Sequence, residues 1–113
     1  MDEKQAIIVK MLELQHLFGE QTDGTAQMIV LKIKQAIDKL ASKRTQGMNI
    51  GPQVRSIGYF IRDEMREHHY QLTAEQQTVL LDMEGQALDI ERNFQPGLAL
   101  SGINLFKVIS KSR

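Results

Sequence analysis

Apolar side chains recur along this 113-residue chain at steps of three and four, which is the period of an amphipathic α-helix. The pattern predicts four helices, over about residues 3–18, 25–43, 52–69 and 73–94. The predicted inward positions are, helix by helix, Ile7, Met11, Leu14 and Phe18; Ala26, Val30, Ile33, Ile37 and Leu40; Val54, Ile57, Ile61 and Met65; and Leu80, Met83, Ala87, Ile90 and Phe94.

Residues that start helices stand where each stripe begins. Asp2 and Thr25 are suited to cap the first and second helices, and Pro52 fits the first position of the third. Thr73 and Gln76 match a capping box at the start of the fourth. Because the connections are short, neighbouring helices should be antiparallel. We therefore predict an all-α fold, an antiparallel four-helix bundle with an extra C-terminal segment, in one domain spanning residues 1–113.

The C-terminal segment, residues 97–113, follows neither the helical nor the strand period. It is rich in large apolar side chains, and its three charged residues, Lys107, Lys111 and Arg113, are all cationic. Apolar residues beyond four complete helices need either a docking site on the bundle or a partner. The sequence leaves both interpretations open.

Composition narrows the classes of partner. Basic and acidic residues are balanced at 14 each, so the chain as a whole offers no field that gathers nucleic acid. The chain has no cysteine, which suits a reducing compartment. No stretch reaches the roughly 20 apolar residues of a membrane span, and the first residues are acidic and polar, unlike a secretion signal. We expect a cytoplasmic protein that binds no nucleic acid.

One cluster, Glu64, Glu67, His68 and His69, could suggest metal or acid–base chemistry. Adjacent helical residues diverge by about 100°, so only Glu64 and His68 share a face. Histidines at a helix C-terminus are explained by the helix dipole. No nucleophile elbow, phosphate loop, zinc-protease spacing or set of facing Glu-x-x-His pairs is present. We predict neither enzymatic activity nor a cofactor or metal.

Two smaller features each have two interpretations. Lys39, Lys43 and Arg44, with Lys32 and Lys34 upstream, form either a solvated helix face or a local basic surface for an anionic partner. Gly58 marks either a close approach between helices or a weak point in the third helix.

The run from His68 to Leu80, HHYQLTAEQQTVL, has an aromatic or apolar residue, then Thr, Ala and Glu at a helix start. In this it resembles the enterocin A immunity family, the cytosolic immunity proteins of pediocin-like (class IIa) bacteriocins from lactic acid bacteria and streptococci. The resemblance covers residues 52–94 in detail and the whole chain in its size, four helices and C-terminal segment.

The resemblance implies a protein that protects a bacteriocin producer from inside the cell. It would bind the mannose phosphotransferase receptor once bacteriocin has captured it, with peripheral association at the inner face of the membrane. In that family the C-terminal half carries specificity, which points to partner-binding residues in the tail. These are Leu105, Phe106, Lys107, Lys111 and Arg113. The alternative is a small helical adaptor or regulatory protein that acts through protein–protein contacts.

Overall fold

A computed structural model describes residues 2–93, which form an all-α four-helix bundle. The helices are α1 (Glu3–Gly19), α2 (Gly24–Ala41), α3 (Ile50–His68) and α4 (Ala74–Asn93), and a short 3-10 turn, Gly47–Asn49, precedes α3. Phe94 and the predicted C-terminal segment lie outside the described residues. Within residues 2–93, no helix is both long enough and apolar enough to cross a membrane.

Each helix packs antiparallel against its neighbours in the chain, and α4 closes the bundle against α1. Between α1 and α2, Lys4 Nζ donates to the Ser42 carbonyl at 2.8 Å and Gln15 Nε2 donates to the Val30 carbonyl at 3.4 Å. Later residues of α1 thus meet earlier residues of α2, which shows that the two helices run in opposite directions. The same opposite progression is seen in Thr25–Glu64 and Lys32–Phe60 between α2 and α3, in Arg55–Glu91 and Arg62–Glu84 between α3 and α4, and in Glu3–Asn93 and Lys10–Asp82 between α1 and α4.

One apolar core joins the four helices, and most predicted inward positions are confirmed. All four α1 positions are fully buried, as are the first three of α3, whereas Met65 is only partly buried. On α4, the four predicted positions within the described residues are buried, together with Val79.

The predicted face of α2 is wrong at two positions. Ile29 and Ala36 are buried, whereas the predicted Val30 and Ile37 are only partly buried. Both flanks of the central stripe are apolar, so the helical period alone does not choose between them. The choice follows from where α1 and α3 lie, since α2 must present one arc to both.

The predicted starts of α2 and α3 are also corrected. Asp23, not Thr25, caps α2, because its Oδ2 accepts from the Ala26 N–H at 2.9 Å. Pro52 is the third residue of α3 and not the first, since the preceding 3-10 turn leads directly into a buried Ile50. Proline is tolerated there because the first-turn N–H groups have no partner within the helix.

Candidate functional site

The five predicted partner-binding residues, from Leu105 to Arg113, lie outside the described part of the chain. The last described residue, Asn93, donates from Nδ2 to Glu3 Oε2 at 3.2 Å. The chain therefore leaves the described bundle beside the start of α1. The surfaces that can be analysed directly are the α3–α4 corner, the α3–α4 seam and a groove between α2 and α3.

The α3–α4 corner is made by a sharp reversal at His69. This residue is left-handed, with φ of 55°, and its N–H closes the end of α3 on the Glu64 carbonyl. The Tyr70 N–H also donates to that carbonyl, at 3.3 Å. A left-handed residue after the last helical turn satisfies carbonyls that the helix itself leaves free. The reversal directs residues 70–73 back toward α4.

Tyr70 ties this corner to the loop between α1 and α2. Its hydroxyl donates to Gln21 Oε1 at 2.9 Å. Partial burial, reinforced by the nearby negative charge of Asp23, raises the pKa of Tyr70 to about 12. The corner and the α1–α2 loop therefore form one connected end of the bundle.

The predicted capping box at the start of α4 is confirmed. The Gln76 N–H donates to Thr73 Oγ1 and the Thr73 N–H donates to Gln76 Oε1, both at 3.0 Å. Gln76 is only 1% exposed, so these bonds pair a polar side chain that faces the core. The reciprocal pair holds the start of α4 in one orientation.

The Glu64 and His68 pair does not gather further ligands. His68 Nε2 lies 3.9 Å from Glu64 Oε2 and its side chain is exposed, while Thr25 Oγ1 donates to Glu64 Oε1 at 3.4 Å. Within residues 2–93, no three His, Cys, Asp or Glu side chains converge on one point. Glu64 therefore connects α3 to α2, and His69 serves the backbone reversal.

The α3–α4 seam contains two glycines that each make room for a glutamate. A Cβ on Gly51 would lie 2.6 Å from Glu91 Cδ, and a Cβ on Gly58 would overlap Glu84 Oε2. Each glutamate also pairs with an arginine one turn beyond the glycine: Glu91 with Arg55 and Glu84 with Arg62. Gly58 is therefore a point where a glutamate side chain of the neighbouring helix lies directly over the α3 backbone.

The Glu84–Arg62 pair has the geometry of a strong ion pair. Arg62 Nη1 donates to Glu84 Oε2 at 2.6 Å and Nη2 to Oε1 at 2.7 Å. These bonds raise the pKa of Arg62 above its already high ordinary value. The two-point contact links α3 to α4 at the surface of the bundle.

Sequence inspection missed this seam, although its signal is present. Gly51 and Gly58 are seven residues apart, as are their partners Glu84 and Glu91. Seven residues are two helical turns, so each set lies on one face of its helix. The matched spacings on two helices would have indicated the pairing once an antiparallel register was assumed.

A groove of about 410 Å³ runs along the outer side of α3 beside α2. It is lined by Lys32, Pro52, Arg55, Ser56, Tyr59, Phe60 and Asp63. Lys32 Nζ lies 5.8 Å from the centre of the Phe60 ring, within the range of a cation–π contact. Tyr59 is 63% exposed. The groove thus offers aromatic surface together with charges of both signs, since Asp63 lines it as well as Lys32 and Arg55.

Comparison with known protein families, with characterised proteins and with solved structures finds no match to this chain. The relation to the enterocin A immunity family therefore stays a prediction that rests on the residues that suggested it.

Proposed function

We propose that this chain is a bacteriocin immunity protein that protects its producer from inside the cell. It would bind the mannose phosphotransferase receptor at the membrane after a pediocin-like bacteriocin has captured that receptor, and so block the pore. The observation that carries this proposal is the α3–α4 corner, the segment in which the chain resembles the enterocin A immunity family.

The corner supports the proposal because its distinctive residues have defined structural roles. The aromatic residue, Tyr70, bonds to the α1–α2 loop, and the Thr73 and Gln76 side chains cap α4 reciprocally. These roles are those of a capped helix start, which is the local structure that the resemblance implies for this segment. The all-α four-helix bundle is also the architecture that the resemblance implies.

In this proposal the tail supplies specificity. Leu105 and Phe106 would bury apolar surface against the receptor complex, and the three cations that follow, Lys107, Lys111 and Arg113, would pair with acidic groups on it. Apolar anchors flanked by charges are typical of binding sites that discriminate between related partners.

The test is protection of living cells. The chain is expressed in a bacteriocin-sensitive host, and growth inhibition is measured with a panel of pediocin-like bacteriocins. We expect protection against one or a few members, and loss of that protection when residues 98–113 are removed or when Leu105→Ala and Phe106→Ala are combined. The matched control is Val108→Ala with Ile109→Ala, which removes apolar surface from neighbouring tail positions and should protect as well as the original chain.

A second candidate function, a helical adaptor, is favoured by the amount of apolar surface left exposed on the bundle. Eight large apolar side chains in the described residues are between 47% and 63% exposed, among them Tyr59 at the rim of the groove. Contact with another protein would remove part of this apolar surface from water. Absence of protection across the whole panel, with equal expression, would refute the immunity function and favour the adaptor.

A further inference from the structure

Charge is distributed unevenly over the bundle. The chain has 14 acidic and 14 basic residues, but every acidic residue lies within residues 2–93, whereas three cations lie beyond them, so the bundle has three more negative than positive charges. Residues 32–44 are the exception, because they contain five cations and only one acid, Asp38. The five are Lys32, Lys34, Lys39, Lys43 and Arg44.

These five cations, like Lys4, differ from the remaining cations of the bundle in their contacts. Within residues 2–93, none of them lies within 4.0 Å of a carboxylate, whereas Arg55, Arg62, Arg66 and Arg92 are all in ion pairs. All but Lys32 have exposed side chains. Their charge is therefore not neutralised by the bundle itself.

Apolar side chains accompany the cations on the same side of the molecule. Met28, Lys32 and Lys39 are spaced by four and seven residues, which places them in one stripe along α2. Across the groove from Lys32 lies Tyr59 of α3. Met28 is 54% and Tyr59 is 63% exposed. We call the surface formed by Met28, Lys32, Lys39 and Tyr59 the α2–α3 face.

The charged residues of helix α4, which lies across the bundle from α2, are mostly acidic. Helices α2 and α4 are diagonal, since each packs against α1 and α3. Helix α4 carries five acidic residues and a single cation, Arg92. Two of these acids, Glu84 and Glu91, are paired with arginines of α3, so α4 offers no unneutralised positive charge and little free negative charge. A negatively charged surface would therefore attract the α2–α3 face more strongly than α4, and this difference would orient the molecule.

We propose that the α2–α3 face binds an anionic phospholipid surface. Lysines around exposed apolar and tyrosine side chains are the composition of surfaces that lie in the headgroup region of a membrane. Four of the five cations are lysines, which act as flexible point charges, and Lys32 and Lys39 lie two helical turns apart on one face of α2. Such spread charge fits a continuous anionic plane better than one acidic site on a protein.

This inference deepens the proposed function, on which its biological meaning rests, because a protein that blocks a membrane receptor from the cytosol gains from being concentrated at the inner leaflet. Its physical claim can be tested without bacteriocin. Each lysine near an anionic membrane contributes about five-fold in affinity, so loss of two should weaken binding roughly 25-fold.

The experiment measures co-sedimentation of the full chain with vesicles. One set contains phosphatidylglycerol in phosphatidylcholine, and the other contains phosphatidylcholine alone. We expect binding only to the anionic vesicles, loss of that binding at high salt, and a roughly 25-fold weaker affinity for Lys32→Gln with Lys39→Gln. The matched control, Lys10→Gln with Arg92→Gln, makes the same change in net charge on α1 and α4 and should bind as the original chain does.

Three outcomes would overturn the inference. They are failure of the original chain to bind anionic vesicles, binding of the Lys32 and Lys39 variant as tight as that of the original, and a loss of affinity in the control as large as in that variant. If vesicles do not bind but the Lys32 and Lys39 variant alone loses protection in cells, the face binds an acidic protein and not lipid. Vesicle binding without protection in cells would instead refute the immunity function and leave the lipid-binding face intact.

Discussion

The α3–α4 seam predicts a specific energetic coupling between Gly58 and Glu84. A Cβ on Gly58 would overlap Glu84 Oε2 and lie 2.8 Å from Arg62 Nη1. In the variant Gly58→Ala, the glutamate must move, and its two-point contact with Arg62 must break or distort. If Glu84→Ala is introduced first, the obstructing carboxylate is gone and Arg62 is no longer held over the glycine.

The expected magnitudes follow from two opposing effects. Alanine in a helix interior is more favourable than glycine by about 1 kcal/mol. Against this, loss of the Arg62–Glu84 pair costs up to about 1 kcal/mol, a small value because the Arg62 side chain is 44% exposed to solvent. Gly58→Ala should therefore leave the free energy of unfolding nearly unchanged in the original chain. In the Glu84→Ala background it should raise that free energy by about 1 kcal/mol.

The assay is urea unfolding of the original chain, both single variants and the double variant. Gly85→Ala is the matched control, because Gly85 is also inside a helix and a Cβ there would meet nothing within 4 Å. Gly85→Ala should raise the free energy of unfolding by about 1 kcal/mol both in the original chain and in the Glu84→Ala variant. If Gly58→Ala stabilises the original chain as much as Gly85→Ala does, glutamate does not occupy the space over Gly58 and the reasoning is wrong.

Three further predictions concern the α3–α4 corner. Thr73→Ala should lower the free energy of unfolding, measured by urea unfolding, by about 1–2 kcal/mol, because it removes the cap and leaves the buried Gln76 N–H without its acceptor. Thr73→Ser keeps the hydroxyl and should retain most of the stability. His69→Gly should raise the free energy of unfolding by about 0.5–1 kcal/mol and so raise the thermal unfolding midpoint, because glycine adopts the left-handed conformation without a Cβ penalty. A lower midpoint would contradict this. In a Tyr59→Phe variant, absorbance titration of Tyr70 should have a midpoint near 12, above the ordinary value of 10.0. Because the folded state holds the Tyr70 proton more tightly than the unfolded state does, Tyr70 contributes stability that is present below pH 10 and is lost as pH rises from about 10 through about 12. A titration midpoint at the ordinary value would refute the partial burial of the hydroxyl.

Where the sequence prediction failed, the determining contacts come from other helices. Val30 and Ile29 are both apolar and both adjoin the stripe of Ala26 and Ile33, so local periodicity favours neither. Ile29 is buried because α1 and α3 together set the direction in which α2 faces. The start of α3 differs from the predicted start at Pro52 for a related reason. Ile50 packs into the core, so the helix begins two residues before Pro52.

For the candidate surfaces too, some features can be predicted from the sequence and others depend on how the helices pack. The five cations of residues 32–44 are visible in the sequence, but that they have no carboxylate partner among residues 2–93 is a property of the packed helices. The same is true of Tyr59 and Lys32, which are 27 residues apart in the chain and meet across one groove only because α2 and α3 are antiparallel neighbours.

By itself, the sequence determined that residues 2–93 form four α-helices, that Thr73 and Gln76 cap the fourth, and that the inward stripe of α1 runs from Ile7 to Phe18. These features depend on bonds and spacings within one or two turns of helix, where residue type is sufficient information. Only the tertiary structure decided which flank of α2 is buried and that Glu84 lies over Gly58. Those outcomes depend on the relative placement of helices distant in the chain, and packing of the whole core selects that placement.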